Sequence, residues 1–216
     1  MAEPRPAALP PAERTVGQVV AEAIRTYGDH FWQILPLGIV VAGVDVANLH
    51  RSPNVQTAIL WAFAPLFSAA YVRAASVVRN EPWAWPAFWV ALVIFLPFPI
   101  LVRLYVLPGI IWFGLVGLAV PAAVAERLGV RDALRRGWQL AGADRVHAVA
   151  GLVTLALVYF VTRLTLLVFI HGFGGQGQVV AATIADLVLA PLVFVGAVLL
   201  YEDQRARLAL TERGGD

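Results

Sequence analysis

Four ionisable side chains interrupt long apolar runs of the sequence: Asp45, Arg103, Arg163 and Asp186. A charge inside a bilayer is costly, faces inward and takes a partner, so two acids and two arginines at one depth predict a neutral cluster. Such a cluster could serve as a polar pocket for an anionic headgroup, a solute or protons, or as an ion-pair staple between helices. The staple takes precedence, because structural networks perturb charges as readily as functional sites do. Counting about 1.5 Å per residue from the cytoplasmic ends of their spans, Asp45 lies roughly 21 Å in, and Arg103 and Arg163 roughly 25 Å. Asp186 enters from the opposite side and sits roughly 10 Å below the outer boundary, which puts all four in one layer of the outer half. Gly38, Ala42 and Asp45 share a face with small-xxx-small spacing, as do Thr183, Asp186 and Ala190, so neighbouring helices can approach closely at both acids.

Other chemistry is sparse. His30, His50, His147 and His171 show no HExxH or comparable ligand spacing, and G-x-S-x-G, P-loop and strand-linked G-x-G-x-x-G motifs are missing. With no cysteine, disulfides, thiolate metal sites and cysteine nucleophiles are excluded. The sequence therefore predicts no catalytic residues, no metal and no cofactor, and a non-enzymatic protein.

The elements that must position the charges are membrane helices. Of 216 residues, 60% are hydrophobic and 14% charged, with mean hydropathy +0.75, whereas an ordinary soluble domain is about half apolar and a quarter charged. Most apolar residues fall in runs of about 20, enough to cross a hydrocarbon core roughly 30 Å thick. Spans are expected at about 31–49, 55–78, 86–104, 106–125, 146–170 and 179–200. The forty apolar residues from Pro86 to Ala125 exceed one span and are split near Tyr105, with a re-entrant hairpin between Pro97 and Pro108 as the alternative. Trp83, Trp85 and Trp89 form an aromatic belt. Residues 1–13, rich in proline, predict a disordered tail, 171–178 a glycine-rich loop, and 208–216 a second cytoplasmic tail. The fold class is thus all-α: a polytopic membrane helix bundle of about six spans in a single domain over 14–207.

Two amphipathic segments complete it. In 15–29, Thr15 and Gln18 can form a capping box, and Val16, Val19, Val20, Ala23, Ile24 and Tyr27 line one face. In 127–143, Val130, Leu134, Gly137, Trp138 and Ala141 share a face opposite Arg131, Asp132, Arg135, Arg136 and Gln139, with Asp132 and Arg136 spaced to pair. Both read as interfacial helices. Arg127, Arg131, Arg135, Arg136 and Trp138 form a candidate surface for anionic headgroups or a docked protein. The segments also share a faint repeat, Ala23-Ile24-Arg25 against Ala133-Leu134-Arg135.

Orientation follows from the arginines. Thirteen lie on one face of the six-span arrangement and Arg51 on the other, so both termini are expected in the cytoplasm. The net charge of +2 is entirely arginine-based and does not point to nucleic acid.

The segments TVGQVVAEAIRTYGDHFW (15–32), LPGII (107–111) and PAAVAERLGVRDALRRGWQL (121–140) resemble the bacterial membrane domain fused to some glycerophosphoryl diester phosphodiesterases, and its stand-alone relatives. The resemblance covers Arg14 to about Arg207, with Gly137 in place of the small serine that often precedes the tryptophan. It implies a six-helix bundle in the bacterial inner membrane with cytoplasmic entry helices and no assigned activity. The phosphodiesterase catalytic domain has no counterpart here. The functional expectation is an accessory, scaffold or lipid-interacting module, with membrane lipids, a protein partner or a second copy as partners. The alternative is a small transporter or lipid-translocating protein working through the charged layer.

Overall fold

The computed structural model describes residues 10–104, 106–170 and 174–213. The beginning of the expected N-terminal tail, Tyr105 at the expected split, His171 to Phe173 of the expected loop and the last three residues lie outside that set. Among the described residues the chain is all-α, without strands. Its helices are α1 (Val16–Asp29), α2 (Phe31–Ile34), α3 (Pro36–Asn48), α4 (Pro53–Arg79), α5 (Trp85–Phe95), α6 (Phe98–Leu104), α7 (Val106–Val116), α8 (Ala119–Ala125), α9 (Val130–Ala143), α10 (Arg145–Phe169) and α11 (Gly174–Arg213). Among the described residues, five helical segments are long and apolar enough to cross a membrane: Pro53–Arg79, Trp85–Leu104, Leu107–Ala125, Arg145–Phe169 and Gly174–Arg213. The expected first span is instead broken at Leu35–Pro36 into α2 and the 13-residue apolar α3.

Prolines set the breaks, and aromatic side-chain donors answer carbonyls beside them. Pro97 and Pro99 have no N–H to continue α5, and the chain reforms as α6. Trp61 Nε1 donates to the Leu96 carbonyl at 2.9 Å and Trp112 Nε1 to that of Ile94 at 2.9 Å. Pro121 cannot donate to the Gly117 carbonyl, which accepts from Val120 N and, at 3.0 Å, from the hydroxyl of the fully buried Tyr71. Hydroxyls of Ser68, Thr154, Thr165 and Thr183 bond back to carbonyls four residues earlier in their own helices. These bonds are what a backbone needs where water is scarce.

Ion pairs mark one end of the bundle. There the residues 10–13, expected as tail, include a 3-10 turn at Pro11–Glu13 that packs on α11, and Arg14 reaches Asp203 at 3.3 Å. Arg79 pairs with Glu202, Arg136 with Glu126 at 3.1 Å and Arg207 with Asp144 at 3.1 Å at the same end. Because these contacts engage its C-terminal part, α11 runs on through Arg213, beyond the expected end of the sixth span. It also starts earlier, so 174–178 are helical rather than loop.

The amphipathic segments pack on this end. The capping box of α1 is formed, with Thr15 N donating to Gln18 Oε1 at 2.8 Å and Gln18 N to Thr15 Oγ1 at 3.4 Å. Val19, Val20, Ala23 and Tyr27 are buried against α10 and α11, and burial raises the Tyr27 hydroxyl above its ordinary pKa. In α9, Ala133, Gly137, Leu140 and Ala141 are buried. Trp138, expected on that packed face, is half exposed, because it stands one residue round the helix from Gly137. A Cβ on Gly137 would meet Ala119 N at 2.6 Å, so the serine of the resembled family does not fit here without movement. The helix begins at Val130 rather than 127, because Arg127 adopts a positive φ of 55°. Ala23 and Ala133 are both fully buried while Arg25 and Arg135 are exposed, so the short repeat marks equivalent faces.

One contact sets the spacing of α3 and α11. Pro191 leaves the Leu187 carbonyl without its helical donor, and the backbone of Gly38 lies against it so closely that a Cβ there would fall on that oxygen. Gly38→Ala should lower stability by about 1–3 kcal/mol or more, as overpacking against backbone does. Gly142→Ala, where a Cβ would meet nothing within 4 Å, should be neutral or gain about 0.5–1 kcal/mol, read by unfolding in micelles.

Candidate functional site

Asp45 closes the last turns of α3, Arg163 stands on α10 and Asp186 in the first half of α11, and the three meet as their sequence depths predict. Arg163 Nη2 donates to Asp45 Oδ2 and lies 3.5 Å from Asp186 Oδ2. Its Nε sits 2.9 Å from Asp186 Oδ1, an ion-pair contact without hydrogen-bond alignment. Asp186 is fully buried and also accepts from the Tyr159 hydroxyl. Asp45 keeps 41% of its side chain exposed and Arg163 25%.

The fourth expected member is elsewhere. Arg103 donates to Asn54 Oδ1 at 2.8 Å and Thr57 Oγ1 at 3.3 Å, both on α4, and pairs with no acid among the described residues. Depth along a helix says nothing about azimuth, and the break at Pro97 turns α6 so that Arg103 faces the start of α4. The expected neutral four-charge layer is therefore corrected to two acids, one arginine and a tyrosine. Tyr159 escaped the sequence reading although the signal was present: it precedes Arg163 by four residues and so shares its face of α10.

The basic helix is also rearranged. Arg136 pairs through Nε with Glu126, at 3.1 and 3.3 Å, rather than with Asp132. Arg127 reaches Glu81 at 3.0 Å. Arg131 and Arg135 stay exposed and meet no acid among the described residues, beside the exposed Trp138.

Two cavities flank the Asp45–Arg163 pair, and both residues line both. On one side lies an apolar cavity of about 330 Å³, walled by Phe67, Phe95, Phe98, Phe113 and Phe194 and reaching Tyr159. On the other, a more open pocket of about 840 Å³ is bordered by His50, Gln176, Gln178 and Thr183. A volume of this size falls in the range of small-ligand sites, about 300–1,000 Å³. Among the described residues, no three His, Asp or Glu side chains gather as a metal site would need.

These features define a class: a multi-helix membrane bundle with a partly exposed ion pair that lines two cavities. In comparisons with known proteins, the chain matches no family model, no curated protein and no solved structure.

Arg163 and Arg103 should respond differently to loss of charge. Arg163→Gln leaves two carboxylates without their cation and should cost about 3–5 kcal/mol. Arg103→Gln, exposed and bound to neutral groups, should cost about 1 kcal/mol or less, with chemical unfolding in mixed micelles as the measurement.

Proposed function

We propose that the protein is a non-enzymatic, lipid-interacting module of a cytoplasmic membrane, with six crossings and both termini on the cytoplasmic side. The observation that carries this reading is the apolar cavity with one charged wall, which suits a molecule with a tail and a polar head.

Support for the topology comes from parity. Arg14 meets Asp203, so the chain returns to the end of the bundle where it began, and an even number of crossings must lie between. Five segments have the length. Phe31 to Asn48, helical on both sides of Leu35, spans about 27 Å at 1.5 Å per residue and supplies the sixth. Arg103 touches Asn54 and Thr57 at the start of α4, which favours a full crossing by α5–α6 over a re-entrant hairpin. The arginine-rich end then faces the cytoplasm. There Arg131, Arg135 and Trp138 suit anionic headgroups, with a docked protein partner or second copy as the competing use. The resemblance to stand-alone relatives of the phosphodiesterase membrane domain agrees with a module that lacks catalytic groups.

A second reading, a small transporter or lipid-translocating protein, is favoured by one observation: the ion pair faces cavities on two sides. Both readings require an occupant. Native mass spectrometry of protein released gently from membranes should show a retained lipid-like molecule in the wild type. It should be largely lost from a folded Ala156→Phe variant, which fills the cavity at a small, buried lining residue. Equal retention by both, or no retained molecule in either, would overturn the proposal.

A further inference from the structure

Removing Arg103 from the cluster changes its charge. Two carboxylates, Asp45 and Asp186, share one guanidinium, and Tyr159 contributes a hydrogen but no positive charge. With both acids ionised the cluster carries a surplus of one negative charge. His50 borders the more open pocket and is exposed, and among the described residues it is bonded to neither acid.

The surplus has a location. Asp186 is buried and bonded by both Tyr159 and Arg163, whereas Asp45 has Arg163 on one oxygen, stands within reach of the Asp186 carboxyl and still keeps 41% of its side chain open. Asp45 lines both the phenylalanine-walled cavity and the more open pocket. An anionic head would have no cation to itself, because Arg163 already faces a carboxylate with both its Nε and Nη2 atoms. It would also bring like charge against Asp45 in a poorly hydrated place, which is strongly unfavourable. A cationic head neutralises the surplus, and the phenylalanine-lined cavity beside it takes an apolar tail.

We propose that this site binds a lipophilic cation: an ammonium head against the Asp45 carboxylate, and a single apolar tail in the cavity lined by Phe67, Phe95, Phe98, Phe113 and Phe194. The proposal rests on the lipid-interacting reading and adds the sign of the ligand's charge, opposite to that expected of an anionic headgroup.

The test uses the full chain in nanodiscs of zwitterionic lipid, with empty nanodiscs subtracted, and three probes of equal chain length: dodecyltrimethylammonium, dodecyl maltoside and dodecyl phosphate. The wild type should bind the ammonium probe most tightly and the phosphate least. Asp45→Asn should weaken ammonium binding about tenfold or more while leaving the maltoside unchanged, and Asp45→Glu should restore much of the preference. If Asp45→Asn does not fold, the ranking of the three probes on the wild type decides alone. Equal binding of the probes, or preference for the phosphate, would overturn the cation assignment while leaving an amphiphile site in place. Binding of no probe above empty nanodiscs would overturn both this assignment and the lipid-interacting reading.

Discussion

A single guanidinium joins three helices where there is little water to replace it. Arg163 on α10 holds Asp45 of α3 and Asp186 of α11, and no other described charge reaches the group. Ions taken out of water need partners of good geometry, and removing one partner strands the rest, so the arrangement is held jointly or lost jointly. Everything nearby serves that geometry. Gly38 lets α3 approach the Leu187 carbonyl about two turns from Asp45, and Leu155 packs so tightly on Gly196 that α10 and α11 have no room for a Cβ there. Tyr159 adds a second donor to the buried Asp186. The consequence for function is that the charge cannot be rearranged freely; what stays adaptable is the open side of Asp45, which lines both cavities.

The same scarcity of water governs the backbone. Proline after proline interrupts the helices of this chain, and each interruption frees a carbonyl that hydrocarbon cannot satisfy. Trp61, Trp112 and Tyr71 donate to carbonyls at such breaks, and Gly38 covers another. Aromatic residues that look like generic apolar bulk in the sequence are thus specific donors, and they fix how α4, α5 and α7 sit around the apolar cavity that their neighbours Phe67, Phe95 and Phe113 line.

How much of this was legible in the sequence depends on whether a feature is local. The capping box at Thr15 and Gln18 follows from spacing alone and is formed; of the expected face of α1, Val19, Val20, Ala23 and Tyr27 are buried, while Ile24 at its edge is exposed. Asp45, Arg163 and Asp186 were also readable, since hydropathy locates the spans and rise per residue gives depth. Arg103 was misplaced because depth carries no azimuth and the break at Pro97 redirects α6. Arg136 was misassigned because the nearer acid in space, Glu126, is ten residues away in sequence. The glycines at 174–177 read as a loop, yet Gly174 and Gly175 open α11, whose long apolar continuation supplies the helical register. Neither cavity was visible beforehand, because each is made by side chains from several helices.

The most direct measurement of the central claim is a thermodynamic cycle in unfolding free energy between Arg163→Met, the double variant Asp45→Asn with Asp186→Asn, and all three changes together. If one guanidinium and two carboxylates form a single coupled unit, the combined variant should lose less than the sum of the separate losses, with a coupling of about 1–3 kcal/mol. Additive losses would show that the arginine and the two acids act independently and would contradict the account.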